Sequence, residues 1–241
     1  MDKTIIAKVL EDTINKNIML KCGPKWLSKP TKADKEFIAK FFNDDGDDNS
    51  ESINTYEEGS KSLFEDHITL QEEYEDDVGF SQAGKDAVSD WGDEGYEDIN
   101  GSIYNTEEFR EKKEDGLLDK FDLEDIDEQI ELIKETIEDG PDIPSNTILF
   151  RGGHFDERIK VGDVVTQEGF ASLTYDESVA DDFDTTLQRK KISFYVPSGS
   201  KGVWLSYPFD NLDEQEYLIP PNTRYYVFEV DSFEAKVVIL P

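Results

Sequence analysis

After Pro144 the apolar residues of this chain change their spacing from every third or fourth position to every second, and that change divides the fold. Before it, Leu123, Ile126, Ile130, Ile133 and Ile137 mark one helical face. Gly140 follows where a helix commonly ends in glycine, so the pattern predicts a helix over 122–139. Ile5, Ile6, Val9, Leu10, Thr13, Ile14 and Ile18 predict an amphipathic helix at the start, and 33–42 predicts a second, with Gly23-Pro24 and Lys29-Pro30 breaking the chain between them. From Phe80, the residues Ala83, Ala87, Val88, Trp91, Tyr96, Ile99 and Tyr104 again repeat as a helix face would. Beyond Pro144, the segments 148–150, 163–165, 191–196, 225–230 and 236–240 read as strands. Helices first and strands afterwards predict an α+β fold, because a parallel α/β sheet would alternate the two.

A chain of 241 residues buries one main core, or one core plus an extension. The expected division is a helical extension with an acidic linker over 1–79 and the main domain over 80–241. The net charge of −32 is uneven: +4 over residues 1–40, −28 over 41–140 and −8 over 141–241. So negative a surface repels phosphate backbones, which argues against direct nucleic-acid binding, and it attracts basic partners. Solvation of exposed faces accounts for most such charge more simply. The single cysteine, Cys22, excludes an internal disulfide framework and leaves too few thiolates for a structural zinc. The acidic run Asn43 to Ser50 lacks a glutamate and an apolar residue at the offsets of a calcium-binding helix-loop-helix, so no metal is expected and the run reads as a polar linker. No apolar run is long enough to cross a membrane, and Met1 to Leu10 mixes charges into its apolar stretch, unlike a signal peptide. A soluble, cytoplasmic monomer is the expectation.

Three short fragments carry the chemistry. Arg151 follows an apolar strand and precedes Gly152-Gly153, so a guanidinium emerges at a strand end where the backbone can be approached closely. That arrangement suits a pyrophosphate; it also suits an arginine that pairs a carboxylate beside a turn. Ser172 and Thr174 point to one side of their strand, as do Glu214 and Glu216 of an extended segment. Glu73-Tyr74-Glu75 repeats the glutamate spacing by accident of composition, but no strand follows it and it precedes Arg151. The glycine-rich strand-to-helix turn of the other familiar dinucleotide sites is missing.

In this order, Phe150-Arg151-Gly152, Ser172-Leu173-Thr174 and Glu214-Gln215-Glu216, the last followed by Tyr217-Leu218-Ile219-Pro220-Pro221 and a strand, resemble the arginine/serine/glutamate class of mono-ADP-ribosyltransferases. This class includes secreted bacterial exotoxins, and the chain looks closest to the enzymes of T4-like bacteriophages; an intracellular effector or toxin is the other reading within the class. The likeness is close over 148–230 and looser over 80–241, where Trp91 to Tyr104 is similar to the helix preceding the first catalytic strand. It implies an ADP-ribosyltransferase fold, with a helical N-terminal part before a mostly antiparallel two-sheet β core. It also implies NAD+ as co-substrate and arginine on a host protein as acceptor. Arg151, Gly152, Ser172, Thr174 and Glu216 would then serve NAD, with Ser172 orienting the catalytic Glu216. Glu214 would act on the acceptor, and Tyr207 and Phe209 would help recognise it, although either aromatic could equally be a packing anchor. Leu173 departs from the family's usual threonine, and a packing difference is expected there. Phe183 matches a core position, and His67 and His154 have no partner motif. The competing class is a catalytically idle acidic protein that binds a basic surface.

Overall fold

The computed structural model describes residues 26–42, 55–57, 59–60, 80–115, 123–182, 189–205 and 216–241. The predicted N-terminal helix and the Asn43 to Ser50 linker fall outside them. Among the described residues, α1 (Lys32–Phe42), α2 (Gln82–Asp90), α3 (Tyr96–Tyr104), α4 (Glu107–Asp115) and α5 (Leu123–Asp139) precede the main run of strands, with helical residues also at 55–57 and 59–60 and a π-helical turn, Trp91–Gly95, joining α2 to α3. A short β1 (Leu27–Ser28) stands before α1. The change at Pro144 is real: β2 (Thr147–His154), β3 (Val164–Gln167), β4 (Ala171–Thr174), β5 (Arg189–Val196), β6 (Val203–Trp204), β7 (Glu216–Ile219), β8 (Thr223–Val230) and β9 (Glu234–Ile239) follow, interrupted by the one-and-a-half-turn α6 (Glu177–Asp182). The fold is α+β, as the spacing predicts.

Local chemistry explains the helix ends. The Ser81 hydroxyl accepts the Gly84 N–H at 3.0 Å and caps α2. Asn105, at φ 48°, turns the chain out of α3, and Thr106 then accepts the Phe109 N–H at 3.1 Å to start α4. Along α5 the predicted Ile126, Ile130, Ile133 and Ile137 are all buried, and α2 packs against that helix. Together with Leu149, Leu173, Phe194, Tyr217 and Val237 from the strands and Phe170 just before β4 they form the main core.

The strands run in the order β1-β3-β8-β9-β5-β2-β4-β7-β6 and pair antiparallel, except β5 with β9. β2 pairs with β5 along its whole length but meets β4 at a single position, Phe150 opposite Thr174. Where two sheets are expected, the nine strands form one hydrogen-bonded sheet, narrowed to a single residue pair between β2 and β4, with six strands on one side of that seam and β4-β7-β6 on the other.

The stretch before residue 80 is tied into the sheet. β1 extends the edge by pairing with β3, Leu27 opposite Val165. Thr31 and Asp34 cap α1 reciprocally: the Asp34 N–H donates to Thr31 Oγ1 at 3.2 Å and the Thr31 N–H to Asp34 Oδ2 at 2.7 Å. The same buried carboxylate takes both Arg224 nitrogens, at 2.6 and 3.2 Å, from β8, while Lys29 pairs with Asp163. On the far side of the sheet, Phe41 packs with Tyr56, Tyr195 and Phe228.

These ion pairs make the clamp sensitive to acid. Burial by itself would raise the pKa of Asp34, but the hydrogen bonds from Arg224 and Thr31 outweigh it and hold the carboxyl below its ordinary range. For Asp163, burial is likewise outweighed, by Lys29 and the Lys160 N–H. A depressed folded-state pKa gives stability that is present above the unfolded value of about 3.9 and lost as pH falls through the lower folded value. The melting temperature is therefore expected to fall steeply below about pH 4. An Asp34→Asn variant should be less stable at pH 7 and show a shallower acid limb; circular dichroism melts between pH 7 and pH 2.5 check both.

Candidate active site

Register assembles the site. β4 lies between β2 and β7, with Thr174 opposite Phe150 on one side and opposite Glu216 on the other, and with Ser172 opposite Leu218. Paired residues of antiparallel strands project to the same face, as do alternate residues of one strand, so Ser172, Thr174 and Glu216 share a face. The Cβ atoms of Thr174 and Glu216 are then about 5 Å apart, with Ser172 the diagonal neighbour.

The two hydroxyls are used differently. Thr174 Oγ1 accepts the Asp176 N–H at 3.1 Å and shapes the turn into α6, whose first turn Asp176 caps through Ser178. Ser172 Oγ is buried and has no hydrogen-bond partner among the described residues. A buried hydroxyl left without a partner costs about 1–3 kcal/mol, which a ligand able to bond it would offset.

The strand does not end at Arg151 as expected: β2 runs on to His154, paired with β5 throughout, and Arg151, half-buried, stands mid-strand opposite Ile192. Alternation turns it to the side of Leu149, so it stands on the strand next to the serine and glutamate and not in their row. Its charge reaches inward: burial pushes the Tyr225 phenol well up, the Arg151 guanidinium opposes that shift, and Tyr104 adds to it. Just past Arg151, a Cβ built on Gly153 would meet nothing within 4 Å, so the end of β2 borders open space that a ligand backbone contact can fill.

The approach to Ser172 is held by α3, which periodicity alone did not reveal. Asn100 behaves as a substitute strand: its Nδ2 donates to the Phe170 carbonyl at 3.2 Å and its Oδ1 accepts the Phe170 N–H at 3.0 Å. The Tyr104 hydroxyl accepts from Gln167 Nε2 at 2.7 Å and from the Gly169 N–H at 3.1 Å. The likeness over Trp91 to Tyr104 was the available signal, and it marked the helix without naming what the Asn100 amide holds. Gly169 has no room for a side chain, since a Cβ there would lie 2.6 Å from Asn100 Oδ1 and 2.7 Å from the Tyr104 hydroxyl. Gly169→Ala is expected to lose about 1–3 kcal/mol of stability in urea titrations, as other overpacking substitutions do, and to weaken activity by shifting the lead into Ser172.

The opposite face is packed with rings. Leu173 is buried against its pair Tyr217, which accounts physically for a leucine at this position. Tyr217 packs tilted against Trp204, centroids 4.6 Å apart at 54°, and Trp204 meets Tyr175 edge-on at 5.8 Å. The Leu205 N–H donates to the Glu216 carbonyl at 2.9 Å, so the glutamate backbone is held from β4 on one side and from the end of β6 on the other. Glu214, Tyr207, Phe209, Phe183 and His67 lie outside the described residues, as does the side chain of His154. Among the described residues no group of three His, Cys, Asp or Glu side chains could hold a metal ion.

With this geometry in view, a profile of the ADP-ribosyltransferase exoenzymes matches residues 21–238, and the chain belongs to that family. Solved structures share the fold. The Vis toxin, an ADP-ribosyltransferase from Vibrio splendidus, is 19% identical, covers 77% of this chain and 86% of its own, and superposes with a TM-score of 0.57. An ADP-ribosyltransferase from Clostridium botulinum is 20% identical over 77% of this chain and 96% of its own, TM-score 0.54. A protein from S. aureus, solved with NAD, is 15% identical over 76% of this chain and 93% of its own, TM-score 0.52. No curated protein sequence matches the chain.

Proposed function

We propose that the chain is an NAD-dependent mono-ADP-ribosyltransferase that modifies arginine side chains of a protein and releases nicotinamide. The observation that carries this reading is the register that sets Glu216 beside Thr174 and diagonal to the buried, unpartnered Ser172 hydroxyl. Breaking the bond between nicotinamide and ribose builds positive charge on the sugar, as glycoside cleavage does, and a fixed carboxylate stabilises it. Glu216 supplies that carboxylate; the Ser172 hydroxyl, not bonded to it in this structure, is the group that would orient it once NAD is bound. The groups suit a dinucleotide: open space at Gly153, a hydroxyl still wanting a partner, and, on the neighbouring strand with its side chain turned to the other face, the Arg151 guanidinium for the pyrophosphate.

The acceptor follows from Glu214. In the resembled class, glutamate at this first position accompanies arginine, and a guanidinium that must lose a proton to attack has evident use for a neighbouring carboxylate. A Vis structure holds agmatine, a free guanidine. The strongly negative stretch over 41–140 fits a basic, nucleic-acid-binding host protein as target. The solved structures above are bacterial proteins, and they lend nothing to the likeness to phage enzymes.

The test is mass spectrometry of bacterial lysate incubated with NAD and the protein. ADP-ribose is expected on arginine, at lower yield as salt rises, with agmatine competing. Adducts confined to other side chains would overturn the arginine assignment, and yields indifferent to ionic strength would remove the case for a basic target.

A further inference from the structure

We propose that Trp204 is a positioning residue for Glu216, and that the ring stack Tyr175, Trp204, Tyr217 sets the direction in which the glutamate leaves its strand. The inference rests on the reading of Glu216 as the carboxylate that stabilises the cleaving bond. Glu216 is the first residue of β7, a strand of four residues flanked by the two-residue β6, so few ladder hydrogen bonds hold it. Its backbone is bonded through its carbonyl to Leu205, the residue after Trp204. Its neighbour Tyr217 points to the opposite face and lies between Leu173 and Trp204 in the pairing.

The rings are confined from several directions. Trp204 is 9% exposed and Tyr217 1% exposed. Tyr175, the residue after Thr174, closes the far side of Trp204, which ties the end of the serine strand to the start of the glutamate strand. Gly202 forms the floor: a Cβ there would lie 2.3 Å from Tyr217 Cε1 and Cζ. A rotation of Tyr217 about β7 would carry the adjoining Glu216 with it, and a displacement of about 1 Å at a reacting group costs on the order of 10²-fold in rate.

The experiment measures nicotinamide release by Trp204→Leu, Trp204→Phe and Tyr175→Leu in the full chain, well below each melting temperature, with hydrogen exchange of the peptide covering 216–219. Trp204→Leu and Tyr175→Leu are expected to lose roughly 10–100-fold in kcat with the KM for NAD changed by less than about threefold, because ground-state binding rests on Arg151 and Gly152. Trp204→Phe should recover most of the loss. Exchange over 216–219 should quicken in the leucine variants while that of α5 stays as in the parent. Because Tyr175 is half-buried, its variant carries the test if Trp204→Leu does not fold. A kcat within about threefold of the parent in a folded leucine variant, a KM that rises in step with the loss of kcat, or no recovery with phenylalanine overturns the proposal. A parent that releases no nicotinamide overturns the reading of the site, and the positioning role with it; an active parent with unaffected stack variants overturns the positioning role alone.

Discussion

Glu216→Ala is expected to lower nicotinamide release and ADP-ribosyl transfer by about 10²–10³, the range seen when one preorganised electrostatic group is removed from a charged transition state. The folded structure should be unchanged. Glu216 is only half-buried and heads its strand, so the substitution leaves the β4 to β7 pairing and the ring stack in place. The loss should fall on kcat more than on the KM for NAD, since stabilisation of the developing cation is made only in the transition state. Glu216→Gln separates charge from shape: it keeps the size and a hydrogen-bonding oxygen, so a loss as large as that of alanine assigns the effect to the negative charge. Steady-state kinetics of both variants, beside melting curves that verify the fold, decide the matter. A glutamine variant with near-parental turnover would mean that the carboxylate is not the stabilising group.

Tyr217→Ala is expected to be the most damaging single change to stability in the small strand group. It deletes a fully buried ring packed against Trp204 and seated over Gly202, and truncations of large buried aromatics cost about 3–5 kcal/mol. Against a total of about 5–15 kcal/mol for a domain, that is a large fraction. At roughly 2–4 °C per kcal/mol for a chain of this size, the melting temperature should drop by about 6–20 °C. Tyr217→Phe keeps the ring and gives up the hydroxyl's hydrogen bond to the Ser200 carbonyl at 3.5 Å, a loss of about 0.5–1.5 kcal/mol. Calorimetry on the two variants gives the comparison, and an alanine variant as stable as the phenylalanine one would show that the cavity collapses at no cost.

Where burial repeats regularly, the fold was legible. Ile126, Ile130, Ile133 and Ile137 could be read as one face because a helix brings every third or fourth residue back to the same side, and the core takes up all four. The strands at 148–150, 191–196 and 225–230 showed their alternation for the same reason. β6 and β1 are too short for any period to register. The parallel pairing of β5 with β9 and the single-pair seam between β2 and β4 are long-range choices that local pattern does not encode.

The same division holds for the site. That Ser172 and Thr174 share a face followed from the geometry of one strand; that Glu216 stands opposite Thr174 is a matter of register between strands. Thr174 proved to spend its oxygen on the Asp176 N–H, a turn contact that spacing does not announce. The clamp of Asn100 and Tyr104 on the loop before Ser172 was hidden because a side-chain amide that replaces a strand leaves no periodic trace.

The place of β9 in the sheet has a consequence for biosynthesis. It is the last of the described strands to leave the ribosome, yet it sits between β5 and β8, and the six-strand part cannot close until it arrives. The contact from Asp34 to Arg224 spans 190 residues, which gives the nascent chain a high contact order and few ways to settle early. The sheet of the described residues is thus complete only when translation has passed residue 239, so that any activity built on it, the proposed NAD cleavage included, arises at the very end of synthesis.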